Sequence, residues 1–370
     1  STAKCFKSDV CPKLNTYIMI IYFDNIIFSL QKAGGISAVW KELIEHVQGC
    51  EGLGMRFLEY EGSTDNIFRR DLSIPSKDII LRKRNLLKIK RYLNPSVDTK
   101  DPFVFHSSYF RICSNKYAKN ISTVHDFTYE YFMKGLQQKV HTWQKNRALR
   151  NSDIVVCISE NTKKDLLRFT SGIDESKIRV IYNGVAEDYK LVDTHRWDSL
   201  GEYVIFVGSR QPYKQFQLTV EAVKDTPYKL AIVGGKLSEA EVVFLDNSIG
   251  KDKYVYTGFL SNEALNELYN QAVCLAYPSA YEGFGIPVLE AQRAGCPVIA
   301  YNASSIPEVI GETPLLLNCL TIKEFHDKLS LLKKDSVRKE IVSSGLANSQ
   351  RFSWKKMGEE YVELYKELLT

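Results

Sequence analysis

Short runs of consecutive apolar residues recur along the chain, each bounded by polar or turn-forming residues. A first series comprises Ile18–Phe23, Pro102–His106, Ile121–His125, Ile154–Ile158 and Ile178–Tyr182. A second comprises Tyr203–Val207, Lys229–Val233, Tyr254–Tyr256, Val273–Tyr277, Pro297–Ala300 and Pro314–Leu317. The runs are continuous rather than alternating, so both faces of each strand need cover. That pattern belongs to parallel sheets flanked by helices. Stretches with helical spacing lie between them, such as Ile36–Val47. At the end of the chain Ser353 is placed to cap a helix that carries Met357, Tyr361 and Leu364 on one face. Between the two series, Asn183-Gly184 is a turn signal, and the stretch to Gly201 is polar and charged. The pattern predicts an α/β chain of two Rossmann-like domains, 1–183 and 184–353, with the terminal helix, 354–370, packing back on the first. Ligands of open parallel sheets sit at the carboxyl ends of the strands, so the cleft between the domains is the expected active site.

Composition changes this picture little. The 370 residues exceed one ordinary core, and 44% hydrophobic with 25% charged residues is the balance of a soluble globular protein. A formal charge of +5 is compatible with polyanionic ligands or anionic membranes and selects neither. The run Tyr17–Phe23 is too short to span a bilayer, lacks a small-residue cleavage site, and meets Asp24 at once. It reads as a buried first strand, behind a polar, aperiodic arm at residues 1–15. A cytoplasmic protein is expected. The eight cysteines (Cys5, Cys11, Cys50, Cys113, Cys157, Cys274, Cys296, Cys319) form no CxxC pair, and several sit in strand-like runs. They read as buried small hydrophobes in a reducing compartment rather than metal ligands. Arg82–Arg91 holds six basic residues and no acidic one. As a helix it is a basic amphipathic surface suited to anionic lipid; as a loop it is a solvated face. Nucleic acid is not expected, because aromatic interleaving and a recognisable binding module are missing.

The segment Pro278-Ser-Ala-Tyr-Glu282-Gly-Phe-Gly285-Ile-Pro287 carries the strongest chemical signal. It follows a buried strand and opens a helix containing Leu289 and Glu290. Gly283 and Gly285 allow close backbone approach or positive φ, and Pro287 suits a first helical turn. The free N–H groups of Gly283, Phe284, Gly285 and Ile286 and the helix dipole form an anion site shaped for a diphosphate. Glu282 and Glu290 would be repelled by phosphate, so each is expected on a sugar or ribose hydroxyl. Arg210 and Lys214 follow the strand ending at Val207 and the flexible Gly208-Ser209. A bidentate guanidinium and a point charge there would neutralise a departing diphosphate. His125-Asp126 ends another strand, and Gly34-Gly35 precedes a helix. Both pairs also have plain structural readings, a satisfied histidine and a simple turn.

These segments resemble retaining family 4 glycosyltransferases of the GT-B fold. Glu282 to Glu290 is similar to the family's E-x7-E signature, and Phe206–Lys214 to its phosphate-binding loop. Leu230–Gly235, Tyr256–Ser261 and Ser304–Val309 resemble further donor-domain segments. Ala33–Ser37 and Thr123–Asp126 resemble its glycine loop and active-site histidine. The resemblance implies a nucleoside diphosphate sugar as donor substrate and a glycan or lipid-linked acceptor, with retention of anomeric configuration. It places His125 beside the reacting sugar carbon and Leu260 against the nucleotide base. The stretch Tyr22–Ser37 resembles polysaccharide and O-antigen mannosyltransferases, which favours GDP-mannose. The chain has no D-x-D pair of the kind that holds a cation on the diphosphate in the other major glycosyltransferase fold. No cofactor and no metal are therefore expected. Two alternatives stay open at this point: a nucleotide-sugar epimerase on the same fold, and a non-catalytic sugar- or lipid-binding homologue. A dinucleotide-dependent dehydrogenase is disfavoured, since no G-x-G-x-x-G follows the first strand.

Overall fold

A computed structural model describes residues 19–369. The N-terminal arm, Ile18, Cys5 and Cys11 lie outside the described residues. The first sheet contains seven strands: β1 (Met19–Asp24), β2 (Leu53–Tyr60), β3 (Ile79–Arg82), β4 (Phe103–Ser107), β5 (Ala118–Val124), β6 (Ile154–Cys157) and β7 (Ile178–Val180). All are parallel, in the order β3-β2-β1-β4-β5-β6-β7. The second contains β8 (Tyr203–Val207), β9 (Lys229–Val233), β10 (Tyr254–Gly258), β11 (Cys274–Tyr277), β12 (Val298–Tyr301) and β13 (Leu316–Leu317), in the order β10-β9-β8-β11-β12-β13, again parallel. Two doubly covered α/β layers result.

Strands β2 and β3 do not follow the apolar-run rule, and the reasons differ. Glu59 interrupts β2, yet it is buried because Arg69 Nε reaches Oε1 at 2.6 Å and Asn25 and Ser63 donate to the same carboxylate. An ion pair closed by distant residues cannot be read from local pattern. β3 is a short edge strand whose Leu81 is exposed, so it needs cover on one side only. The stretch Arg82–Arg91 is not one helix. Its first residue ends β3, only Leu87–Lys90 is helical, and Leu86 adopts a left-handed φ of 55°.

The carboxyl end of β1 is pinned by charge. Arg111 donates from Nε to Asp24 Oδ2 at 2.8 Å and from Nη2 to Oδ1, and its Nη1 donates to Tyr60 Oη at 3.0 Å. Both partners are essentially solvent-free. Burying two charges costs several kcal/mol, and only the complete pair offsets this. Arg111→Ala leaves Asp24 uncompensated and is expected to lower unfolding stability by about 3–5 kcal/mol, measured by urea denaturation.

The last helix, Trp354–Leu369, packs on the first domain. It crosses helix Gly35–Gln48, where the His46 imidazole fills the space beside Gly358; a Cβ there would lie 2.1 Å from it. Met357, Tyr361 and Leu364 are buried against the first sheet's core, and Ser353 Oγ accepts from Lys356 N at 3.0 Å. Tyr365 Oη pairs with His106 Nδ1 (2.8 Å), His106 Nε2 with Thr123 Oγ1 (2.9 Å), and Thr123 with Tyr361 Oη (3.0 Å). This chain of bonds fixes the end of β5. Where the polypeptide passes between the domains, Gly184 abuts the start of the last helix: a Cβ would lie 2.2 Å from Trp354 N. The rings of Tyr182, Phe284 and Phe352 meet edge-on or tilted there.

All six described cysteines are free thiols, four of them buried. Burial pushes the Cys157 and Cys296 thiols up to about 12, which leaves them protonated and unreactive. Among the described residues no helix is long and apolar enough to cross a membrane.

Candidate active site

The carboxyl ends of both sheets face a cleft of about 470 Å³. The first domain contributes Gly35, Ile36, Glu42, His125 and Asp126; the second contributes Gly208, Lys214, Glu282, Gly283, Phe284, Gly285, Ile286 and Glu290. Residues far apart in sequence thus share one space.

Its floor in the second domain is almost without side chains. Gly208, Gly234 and Gly258 close β8, β9 and β10 with φ of 120°, 139° and 73°. They bond each other's backbones: Gly208 N donates to Val233 O, and Gly234 N to Gly258 O, both at 3.0 Å. A Cβ on Gly234 would lie 2.6 Å from Gly208 O. Two helix starts face this floor. Gly285, at φ 106°, leads into helix Ile286–Arg293, with Pro287 in its first turn. Gly35 begins helix Gly35–Gln48, and a Cβ added to it would meet nothing within 4 Å. Their unpaired N–H groups make the centre of the cleft attractive to anions.

Lys214 supplies the positive charge. It sits just before helix Phe216–Lys224, and its Nζ donates to Glu282 Oε1 at 2.5 Å. The ammonium also lies 5.6 Å from the Tyr277 ring centroid. Both partners are largely buried, with side chains 16% and 11% exposed. In the empty cleft the cation and the carboxylate therefore hold each other in position. Glu282 N donates to Ser304 Oγ at 2.9 Å, which fixes the loop.

Arg210 is placed otherwise than expected. Its Nε donates to Glu241 Oε1 at 2.6 Å, and its Nη2 to the carbonyls of Gly235 and Lys236 at 2.9 Å. It does not line the cleft. Glu241 is the third residue of helix Glu239–Ser248 and closes a capping box with Ser238; its remaining oxygen captures the guanidinium. Only Nη1 is left, buried and without a partner. Ser209, Leu260 and Gly34 also stand outside the lining, while Asn262, two residues past Leu260, is in it. Leu260 packs instead on the second domain's core.

Glu290 lies at the far end, one turn into its helix. Burial pushes its carboxyl up to about 7, even though Tyr269 Oη donates to it at 3.2 Å. Tyr189, also in the lining, has its phenol pushed far up by burial and by Glu290. His125 stands just past β5. Burial pulls its imidazole down to about 4, so the ring is neutral at physiological pH. Asp126 accepts from Thr128 N at 2.9 Å, a local cap.

The two domains touch at the site itself. Gly283 lies against the first domain so closely that a Cβ would fall 1.9 Å from the His125 carbonyl oxygen. Its own carbonyl accepts from Ser159 Oγ at 2.8 Å. Tyr281 Oη donates to Asp165 at 2.8 Å and accepts from Phe127 N at 2.9 Å. Both oxygens of Glu308 accept from Glu160 N and Asn161 N at 2.9 Å, capping helix Glu160–Phe169 across the domain boundary. Sequence reasoning missed these latches and also Asn183. That residue, read as a turn signal, lines the cleft with a buried, unpartnered Oδ1. The one available signal was its position at the crossing between the two strand series.

Two family models match the chain in tandem: Glycosyltransferase Family 4 over residues 50–189, and Glycosyl transferases group 1 over residues 190–346. The chain is 25% identical to O-antigen chain mannosyltransferase B of Escherichia coli over 311 residues, covering 78% of this chain and 80% of that protein. It is 26% identical over 238 residues to serotype-specific mannosyltransferase WbdA of Escherichia coli. That match covers 59% of this chain but spans only 29% of the longer relative. The crystal structure of Anabaena HepE in complex with UDP and glucose superposes with a TM-score of 0.71 at 17% identity, covering 94% of this chain and all of that one. Two facing parallel α/β domains with a cleft at their carboxyl ends are thus the GT-B architecture, and the protein is a glycosyltransferase. The chain belongs to the family that these two models describe together, with a family 4 half followed by a group 1 half.

Proposed function

We propose that the cleft binds a nucleoside diphosphate sugar, GDP-mannose in the first instance, and transfers the hexose to a hydroxyl of a glycan or lipid-linked acceptor with retention of configuration. The pairing of Lys214 with Glu282 between two helix starts carries this reading. A diphosphate entering there displaces Glu282 from the ammonium and takes the charge and the free N–H groups. Glu282 is then free to accept from sugar hydroxyls. Glu290, at the other end, is spaced for the ribose. The bond from the sugar's anomeric carbon to the β-phosphate oxygen breaks. The acceptor oxygen bonds to the same face of that carbon, and a phosphate oxygen takes the acceptor's proton. Lys214 neutralises the charge on the departing diphosphate, so no metal ion is needed in this scheme. His125, neutral, serves as a hydrogen-bonding partner of the sugar rather than as an acid. Arg210 adds its one unpartnered amine, Nη1, from behind the phosphate loop. The mannosyltransferase relatives support the sugar, and HepE supports a nucleotide in a cleft of this fold. The exposed Leu86, Ile89 and Leu93, among the basic residues of Arg82–Arg91, are the surface this reading gives to an anionic bilayer.

A thermal-shift comparison of GDP, UDP and dTDP tests the donor site. A ligand at a hundred times its Kd stabilises by about 2.7 kcal/mol. GDP is expected to raise the melting temperature at the lowest concentration; no shift with any of the three removes the basis of the reading. Glu290 adds a pH dependence. Its carboxylate form is the one that accepts from ribose hydroxyls, and with a pKa near 7 that form fills as pH rises. Nucleotide affinity should therefore increase from pH 6 to pH 8 in the wild type and stay flat in Glu290→Gln, read by titration calorimetry. The same shift works against stability. The folded state holds the proton more tightly than the unfolded chain, so Glu290 costs stability as pH rises above the usual carboxylate range.

A further inference from the structure

A second cavity, of about 280 Å³, lies wholly in the first domain and shares Ile36, His125 and Asp126 with the cleft. The two spaces therefore meet at the reacting end. The second is walled by rings. Tyr129 stacks on His141 with centroids 4.0 Å apart and planes 15° from parallel, and Tyr109 and Phe110 close the other sides. Three of its lining side chains carry a buried polar atom without a partner: Gln31 Nε2, Arg91 Nε and His141 Nδ1. Each such atom costs about 1–3 kcal/mol unless something fills the site. Three around one cavity are a reason to look for a ligand rather than for three separate defects.

The chemistry of the lining narrows that ligand. Lys145 is not available as a cation: its Nζ holds Glu130 at 3.0 Å and the Asp126 carbonyl at 3.0 Å. The Arg91 guanidinium donates to Tyr109 Oη and lies against the Tyr92 and Tyr109 rings. Burial, with Lys145 and Arg91 close by, holds the His141 imidazole down at about 4, so it is neutral. The site therefore offers flat apolar faces and scattered single hydrogen bonds, not a concentrated positive charge. A pyranose ring has the complementary form, with C–H faces for the rings and hydroxyls that both donate and accept. The volume falls just below the range of about 300–1,000 Å³ typical of pockets for drug-sized ligands, which is room for one ring.

We infer that this cavity is a subsite for one neutral sugar ring of the acceptor, held by Gln31, Arg91 and His141 and by the Tyr109 and Tyr129 rings, with a hydroxyl directed past His125 to the donor carbon. The inference rests on the transfer reading above for its place in the reaction, but not for its ligand chemistry.

Saturation-transfer NMR on the full chain tests it, with methyl α-mannoside, methyl α-glucoside and methyl α-galactoside as probes. At least one is expected to give ring-proton signals that persist with saturating GDP and with excess inorganic pyrophosphate. The signals should fall at least fivefold in Gln31→Leu and in Tyr129→Leu, while the GDP-induced melting shift stays at its wild-type size. Two substitutions guard against one that fails to fold. Signals unchanged in both variants overturn the subsite, as does displacement by pyrophosphate, which marks an anion site. Displacement by GDP places the sugar in the donor cleft and also overturns it. No signal from any glycoside, while GDP still shifts melting, refutes the subsite and leaves the donor reading standing. A sugar signal that depends on Gln31 without any nucleotide shift keeps the subsite and removes the donor reading.

Discussion

Lys214→Ala is expected to lower sugar transfer by at least two orders of magnitude while the protein stays folded. The ammonium is the only cation among the described residues that lines the cleft, since Arg210 is turned onto Glu241. A single preorganised group aimed at developing charge is worth about 3–4 kcal/mol in the transition state, or roughly a hundredfold to a thousandfold in rate. The fold should tolerate the change, because Lys214 ends a short helical turn at the surface of the cleft and packs only through its stem. Glu282 loses its partner, but it borders the open cleft and can be solvated there. The check is nucleoside diphosphate release from GDP-mannose and UDP-glucose, alongside a melting curve. Turnover near the wild-type level in a folded variant contradicts the assigned role.

Gly283→Ala is expected to be nearly as damaging, by another route. The added methyl meets backbone: the His125 carbonyl oxygen at 1.9 Å, its carbon at 3.0 Å, and Asp126 Cβ at 3.1 Å. Neither neighbour is a flexible side-chain end, so the domains must separate. Separation also weakens the bonds from Ser159 and Thr162 to the Gly283 carbonyl. Misplacing reacting groups by about 1 Å costs on the order of a hundredfold. Transfer should fall by about that factor. Nucleotide binding should persist, because Lys214 and Glu290 both belong to the second domain. Unimpaired transfer contradicts the view that this closed contact is the working one.

Legibility in the sequence followed burial. All six strands of the second sheet are continuous apolar runs, and each was read within a few residues. In the first sheet β1 and β4 to β7 read the same way. β2 and β3 did not, because one carries a buried carboxylate neutralised by Arg69 and the other is an exposed edge. The cleft shows the same division. Glu282, Gly283, Gly285 and Glu290 come together because one loop and one helix carry them. Lys214 was legible as a cation after a strand. Arg210 had an identical local signature and a different placement, decided by Glu241, a partner 31 residues away in sequence. The choice of ion-pair partner is tertiary and leaves no local trace. Gly283 was read as room for a ligand, whereas the space beside its Cα is filled by the His125 carbonyl. The cross-domain cap by Glu308, the cavity at His141 and the role of Asn183 depend in the same way on how the two domains meet.

The central claim is that the cleft between Lys214 and Glu290 is the donor site. A crystal structure with a bound nucleoside diphosphate tests it most directly, using whichever of GDP, UDP and dTDP shifts melting most. The account predicts the β-phosphate within hydrogen-bonding distance of Lys214 Nζ, the phosphate oxygens at the start of helix Ile286–Arg293, and ribose hydroxyls on Glu290. A nucleotide bound elsewhere, or bound here with Lys214 still closed on Glu282, would contradict it.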